Sequence, residues 1–159
     1  MDLCKPCYNG LFQVKSACAC CAKKFAIDSL KPRLCGECQK NPPAFDHTYA
    51  PFMHQGAMRY LIKQLKFNDS YKNSRILGRL LAEHLPNSIE LPELIIPVPL
   101  HPKRYRQRGF NQSLEIAKIV TQEFSIPINS ACCQRKKDTL HQTSLTAKQR
   151  RKNIKDAFQ

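Results

Sequence analysis

The sequence predicts an α/β protein with a small cysteine-rich, metal-dependent module ahead of it. Three observations carry that prediction. Three C-x-x-C pairs, Cys4/Cys7, Cys18/Cys21 and Cys35/Cys38, fall within residues 1–44. Beyond residue 45, amphipathic stretches alternate with short apolar runs, the pattern of helices laid against a parallel sheet. The apolar run from Leu94 to Val98 then breaks at prolines and passes through a basic segment into a helix, a strand, loop, helix unit. The expected division is a metal module over 1–44 and an α/β domain over 45–159.

The module is read from its thiols. Two residues between cysteines let both sulfurs converge on one tetrahedral ion, and two such pairs complete a four-cysteine site. Cys18, Cys21, Cys35 and Cys38 are the expected ligands of a zinc-ribbon-like site, with Gly36 suiting the turn inside the last pair. So few large apolar residues would hardly hold a fold of this length without metal. Cys4 and Cys7 are additional candidate ligands, either half of a separate site or partners of Cys18 and Cys21. Cys20 competes with Cys21 for a place, although only Cys21 has the right spacing. Cys132 and Cys133 are expected to be small buried residues.

Composition sets the outer limits. With 159 residues there is room for one ordinary domain and an appendage, and 26 basic against 12 acidic side chains give a formal charge of +14. Such a balance favours a polyanionic partner through counterion release. The start Met1-Asp2-Leu3-Cys4-Lys5-Pro6 lacks the layout of a signal peptide, so a cytoplasmic protein is expected, where paired cysteines serve metal more often than disulfides. No apolar run approaches the roughly 20 residues that cross a bilayer, which excludes an integral membrane role.

Along the chain, Asn41-Pro42-Pro43 closes the module. Gly56 to Phe67 reads as a helix with Met58, Leu61, Ile62 and Leu65 on one face and Arg59, Lys63 and Lys66 outside it. Asn68-Asp69-Ser70 is a turn signal, Ser74 to Leu85 a second helix carrying Leu77, Leu80, Leu81 and Leu85, and Pro86 its stop. Leu94 to Val98 is expected to be a buried strand. Lys103, Arg104, Arg106 and Arg108 then form a basic loop ahead of a helix capped by Asn111 with Leu114, Ile116, Ala117, Val120 and Phe124 inward. Guanidinium groups beside free N–H groups suit phosphate, although a plain solvated loop has the same composition. A short extended stretch is expected from Ile128 to Cys133. From Gln134 to Ala157 the basic residues Arg135, Lys136, Lys137, Lys148, Arg150, Arg151, Lys152 and Lys155 face only Asp138 and Asp156, and Thr146-Ala147-Lys148-Gln149 fits a capping box.

The order PVPLHPKRYRQRGFNQ from Pro97 to Gln112, with LKF at Leu65 to Phe67 before it and HQTSLTAKQRRKNIKDAF from His141 to Phe158 after it, resembles the ComF/GntX family of bacterial competence proteins over nearly the whole chain. The resemblance implies a zinc module joined to a type I phosphoribosyltransferase-like parallel sheet. It also implies that the stretch after Gln134 corresponds to a mobile loop that closes over substrate, with His141, Gln142, Arg150 and Asn153 at matching positions. The candidate phosphate or nucleic-acid ligands are therefore Lys103, Arg104, Arg106, Arg108, Gly109, Asn111, Gln142, Arg150, Arg151 and Asn153. No catalytic residue is assigned.

Enzymes of that fold carry two adjacent acids followed by a Thr/Gly-rich loop, and no two of the 12 acidic residues here are adjacent. The chain is thus expected to be a shortened form with an incomplete sheet, whose open edge invites self-association. The preferred expectation is a ComF-like protein that supports DNA uptake and natural transformation. It would bind single-stranded DNA on its basic face and meet a competence helicase or DNA-processing partner. The alternatives are a phosphoribosyltransferase-like enzyme using 5-phosphoribosyl diphosphate and magnesium, with Arg104, Arg106 and Arg108 near pyrophosphate, and a non-functional remnant.

Overall fold

A computed structural model describes residues 3–27, 31–67, 70–86 and 89–159, with Phe67 and Thr143 described in their backbone only. Seven α-helices occur among them: α1 (Lys5–Asn9), α2 (Gly36–Lys40), α3 (Gly56–Phe67), α4 (Lys72–Glu83), α5 (Pro102–Arg108), α6 (Gln112–Phe124) and α7 (Ala147–Ile154), with a 3₁₀ turn at Gln142–Ser144. The turn expected at Asn68-Asp69 lies outside the described residues.

Helices α3, α4 and α6 build the main core. The 3.6-residue period places Met58, Leu61 and Leu65 of α3 against Ile76, Leu77 and Leu80 of α4, and Ile62 packs beside them. Leu80 is 1% exposed. Helix α4 begins at Lys72, not at Ser74, because the Ser74 hydroxyl donates back to the Tyr71 carbonyl from inside the first turn (2.6 Å). It ends at Glu83, ahead of Pro86, where the His84 N–H reaches the Leu81 carbonyl. The extra inward residues Ile76 and Ala82 were not part of the expected stripe. Leu3, Tyr8 and Leu11 from the start of the chain pack against this same core, and Gln13 bridges Phe52.

Helix α6 has the expected cap. Asn111 accepts from the Ser113 N–H (3.0 Å) and donates its amide to the Val98 carbonyl (3.1 Å), which ties the helix start to the preceding extended segment. Its Ala117 and Val120 are buried, and so is Glu115, which accepts from the Tyr71 hydroxyl (2.8 Å) and from Lys118 (2.9 Å).

Pairing of extended chain is sparse. Ile95 and Ile128 form a parallel bridge across α6, with Ile95 N–H to the Pro127 carbonyl (2.9 Å) and Asn129 N–H to the Ile95 carbonyl (3.0 Å). The expected buried strand Leu94 to Val98 is corrected by the exposure of Ile96 (51%) and Val98 (59%). Pro97 and Pro99 lack the N–H groups that would extend the ladder. The stretch expected to run extended to Cys133 turns instead, because the Asn129 side chain accepts from the Ala131 and Cys132 N–H groups (2.9 and 3.0 Å). That turn leaves Cys132 exposed and Cys133 half-buried, against the expectation of buried thiols. The architecture is mostly helical with isolated bridges among the described residues, joined to a cysteine cluster.

Candidate metal centre and basic surface

Two local turns assemble the thiols. The first runs from Cys18 to Lys24: Ala17 bridges Lys24, Cys18 N–H reaches the Lys23 carbonyl (2.9 Å), and Ala22 takes a left-handed φ of 56° to close the loop. The second is the start of α2, where Cys35 stands at the cap position and Cys38 one turn inside. A parallel bridge between Cys18 and Arg33 brings the turns together, and Cys35 N–H donates to Cys18 Sγ (3.2 Å).

The Sγ atoms of Cys18, Cys21, Cys35 and Cys38 consequently lie within 4.8 Å of one another, three of them on buried residues. A tetrahedral ion with metal–sulfur bonds of about 2.3 Å requires sulfurs about 3.8 Å apart. The Cys21 and Cys35 sulfurs are 3.7 Å apart. The donor set therefore fits a thiophilic dication such as zinc.

Electrostatics point the same way. The Cys21 backbone N–H, against burial and with help from the Cys35 N–H, holds the Cys18 thiol down to about 6. Burial, followed by contacts with the other sulfurs, pushes the Cys38 thiol far up. Four sulfurs this close cannot all carry charge unless a cation compensates them. Cys20 is buried in the same cluster, but its thiol faces the Phe45 carbonyl (3.7 Å), and Cys21 supplies the sulfur that joins the four. Cys4 and Cys7 are exposed and lie outside the four-sulfur group.

The basic surface is built differently from the sequence expectation. The segment expected as a loop is α5, opened by His101 as cap and Pro102 in the first turn, and closed by Gly109 at φ 76°. Its four cations have no apolar stripe beside them, so hydrophobic periodicity carried no signal for it, whereas the proline start and glycine stop did. Helix α5 docks on the 134–159 segment, whose ends pair: Arg135 bridges Phe158, and Lys136 N–H reaches the Ala157 carbonyl (2.9 Å).

Docking consumes part of the expected site. Arg104 donates to the Thr139 carbonyl (2.7 Å), Thr139 being 7% exposed. Arg135 donates to the Thr139 hydroxyl and stacks its guanidinium over Phe158 at 5.6 Å. Lys103 lies 3.3 Å from Asp138. Arg106 is exposed, and Arg108 is half-buried and engaged within the protein. Gly109 serves as the helix stop, and Asn111 commits both ends of its amide to capping and to Val98.

In the 134–159 segment, Arg150 Nε donates to the Gln142 carbonyl (2.8 Å), and Asn153 exchanges two hydrogen bonds with the Leu140 backbone (3.2 and 3.0 Å). Thr146 and Gln149 form the capping box that starts α7. Arg151 is exposed. The structure thus brings Lys103, Arg104 and residues 135–139 together, and uses Gln142, Arg150 and Asn153 to hold α7 against residues 140–142. Asp138 and Thr139 were not among the candidate residues; the isolation of Asp138 in a cationic run was the available signal.

No protein-family model matches the chain, and no solved structure matches it. Among curated proteins, Competence protein F of Haemophilus influenzae is 34% identical over 129 residues, covering 78% of this chain and 56% of that protein. DNA utilization protein YhgH of Escherichia coli O157:H7 is 30% identical over 161 residues, covering 98% of this chain and 70% of the relative. The Salmonella typhimurium YhgH is 29% identical with the same coverage. The chain spans a little over half of the first relative and about 70% of the others. With similarity of this extent to both competence and DNA utilization proteins, the chain belongs to the ComF family.

Proposed function

We propose that this chain binds single-stranded DNA in support of DNA uptake or utilization, through the surface made by α5 and the 134–159 segment. The observation that carries the reading is the Arg104 to Thr139 bond, which joins two cationic segments separated by 35 residues into one face. Lys103, Arg106 and Arg151 are the proposed phosphate contacts. Arg104, Gln142, Arg150 and Asn153 hold the surface in shape, and Gly109 and Asn111 fix the α5 to α6 junction. Exposed Tyr105 offers a stacking platform. The names of the relatives supply the biological direction, and a competence helicase or DNA-processing enzyme is the kind of partner that direction suggests.

The four-cysteine site is proposed to hold zinc as a structural ion, in a module spanning 1–44 with residues 3–14 as its seam to the 45–159 body. Unbridged paired thiols and a thiolate metal site suit the reducing cytoplasm, which is the proposed location. The parallel bridge of Ile95 and Ile128 across α6 supports a second reading, a phosphoribosyltransferase-like sheet with 5-phosphoribosyl diphosphate and magnesium as ligands. On the residues present we expect such a ligand to bind without turnover, because this chain has no adjacent acids to hold the ribose.

Fluorescence anisotropy with a labelled thymidine oligonucleotide tests the first reading. The Arg106→Ala, Arg151→Ala double variant should bind several-fold more weakly with its zinc content and melting temperature unchanged. Equal binding by variant and parent would overturn it. Magnesium-dependent pyrophosphate release with any nucleobase would favour the second.

A further inference from the structure

We propose that Asp138 is the resident counter-anion of a phosphate site formed by Lys103, Arg104 and Arg135, and that a DNA phosphate has to displace it. The inference rests on the DNA-binding reading and adds a regulator to that surface.

Donors exceed acceptors at this place. Lys103 and Arg104 both address Asp138, at 3.3 Å and 3.9 Å, and neither contact is a short charge-assisted bond. His101 Nδ1 lies 3.8 Å from the same carboxylate, but that nitrogen accepts the Lys103 N–H as the cap of α5, so a neutral ring cannot also donate there. Arg135 adds a second guanidinium, sharing Thr139 with Arg104. Its Nε is buried without a hydrogen-bond partner among the described residues. Ammonium and guanidinium groups donate and never accept, and the acceptors that meet these three side chains among the described residues are the two Thr139 oxygens and the Asp138 carboxylate.

A phosphate suits the place better than that carboxylate. Its two charged oxygens are set wider on a tetrahedral phosphorus than a carboxylate's are on carbon, so an ammonium and two guanidinium forks can reach them together. Next to it is an open cavity of about 390 Å³ lined by His101, Arg135 and Lys136 among others, large enough to admit a phosphate and its sugar. Asp138 is only partly covered, its side chain 36% exposed, and exposed ion pairs are weak. Displacement is therefore easy, yet it subtracts from every binding event.

The test compares three full-length, metal-loaded proteins with a thymidine oligonucleotide over a salt series. Asp138→Asn removes the carboxylate and keeps its shape. Asp156→Asn makes the same change in net charge elsewhere in the segment, where a φ of 53° suits asparagine. Asp138→Asn should bind about twofold to fivefold tighter than the parent. Parent and variant make the same phosphate contacts once Asp138 is displaced, so the slope of log affinity against log salt should be the same in both. Asp156→Asn should stay within about twofold of the parent, as expected for an exposed, solvent-screened charge that does not contact Lys103 or Arg104. Equal gains in both variants, or no gain in Asp138→Asn with its melting temperature preserved, would overturn the counter-anion role while leaving DNA binding intact. A fall of more than about 4 °C in the melting temperature of Asp138→Asn would make the carboxylate a structural tie and overturn the proposal as well. Absence of binding by all three would overturn the DNA reading and the regulator with it.

Discussion

Gly78 sits where α4 crosses α6, and the consequence of filling it can be worked out from the structure. A Cβ added there would stand 2.6 Å from Ile119 Cβ, 3.0 Å from its Cγ1 and 3.1 Å from its Cγ2. Carbon atoms prefer about 3.5 to 4.0 Å, so the helices would have to separate by roughly 1 Å. Ile119 cannot yield by a rotamer change, because the closest atom is its Cβ, fixed to the α6 backbone. Replacing glycine by alanine inside a helix stabilises by about 1 kcal/mol, and overpacking a close contact costs about 1 to 3 kcal/mol. The 2.6 Å contact with a carbon fixed to the backbone puts the cost in the upper part of that range, about 2 to 3 kcal/mol, so the balance for Gly78→Ala is a net loss of about 1 to 2 kcal/mol. For a chain of this size that corresponds to a fall in Tm of roughly 2 to 8 °C. Thermal and urea unfolding of the metal-loaded protein would measure it. Truncating Ile119 to alanine in the same chain removes the two Cγ contacts and leaves the Cβ contact, so it should not restore parental stability. A Gly78→Ala protein as stable as the parent would refute the close crossing of α4 and α6.

Other outcomes follow from the same contacts. Cys35→Ser should lose the bound metal, and chelation of the parent should unfold the region around Cys18 to Cys38 while α3 and α4 keep their amide protection, as read by elemental analysis and hydrogen exchange. Leu80→Ala should cost about 2 to 5 kcal/mol in unfolding free energy, since the side chain is 1% exposed. Thr146→Ala should remove the capping box and cost about 1 kcal/mol, seen as faster amide exchange at the start of α7. Lys103, through its bond to the carboxylate, holds Asp138 below its ordinary value of 3.8. A depressed folded-state value means that this contribution is present above the unfolded value and is lost as pH falls through the folded one. Asp138→Asn should therefore flatten the acid limb of the stability profile below about pH 4, because it lacks at neutral pH the small contribution that the parent loses in acid, and the two proteins should converge in strong acid.

Particular residues show what was legible in the sequence. Met58, Leu61 and Leu65 recur at helical spacing in a segment bounded by a glycine, and α3 has the expected limits. Asn111 and Thr146 announce their helices because capping depends on local chain geometry alone. The two sulfurs of each pair converge because C-x-x-C spacing is also local, whereas the Cys18 to Arg33 bridge that joins the pairs is tertiary. What the sequence left hidden is tertiary. Helix α5 has no apolar stripe, since it docks through Arg104 and Lys103 instead of through a hydrophobic face. The roles of Asp138 and Thr139 depend on contacts with residues 35 positions away. The expected strand at Leu94 to Val98 was read from hydrophobicity, but its prolines limit pairing to Ile95, and apolar side chains such as Ile96 stay exposed.

The salt dependence of single-stranded DNA binding tests the central claim most directly. Each phosphate neutralised on a single strand contributes about 0.7 to the slope of log affinity against log salt. A surface in which Lys103, Arg106 and Arg151 each meet a phosphate predicts a slope of about −2 or steeper, reduced by about 1.4 in the Arg106→Ala, Arg151→Ala variant. A slope near zero, or an equal slope in parent and variant, would contradict the account.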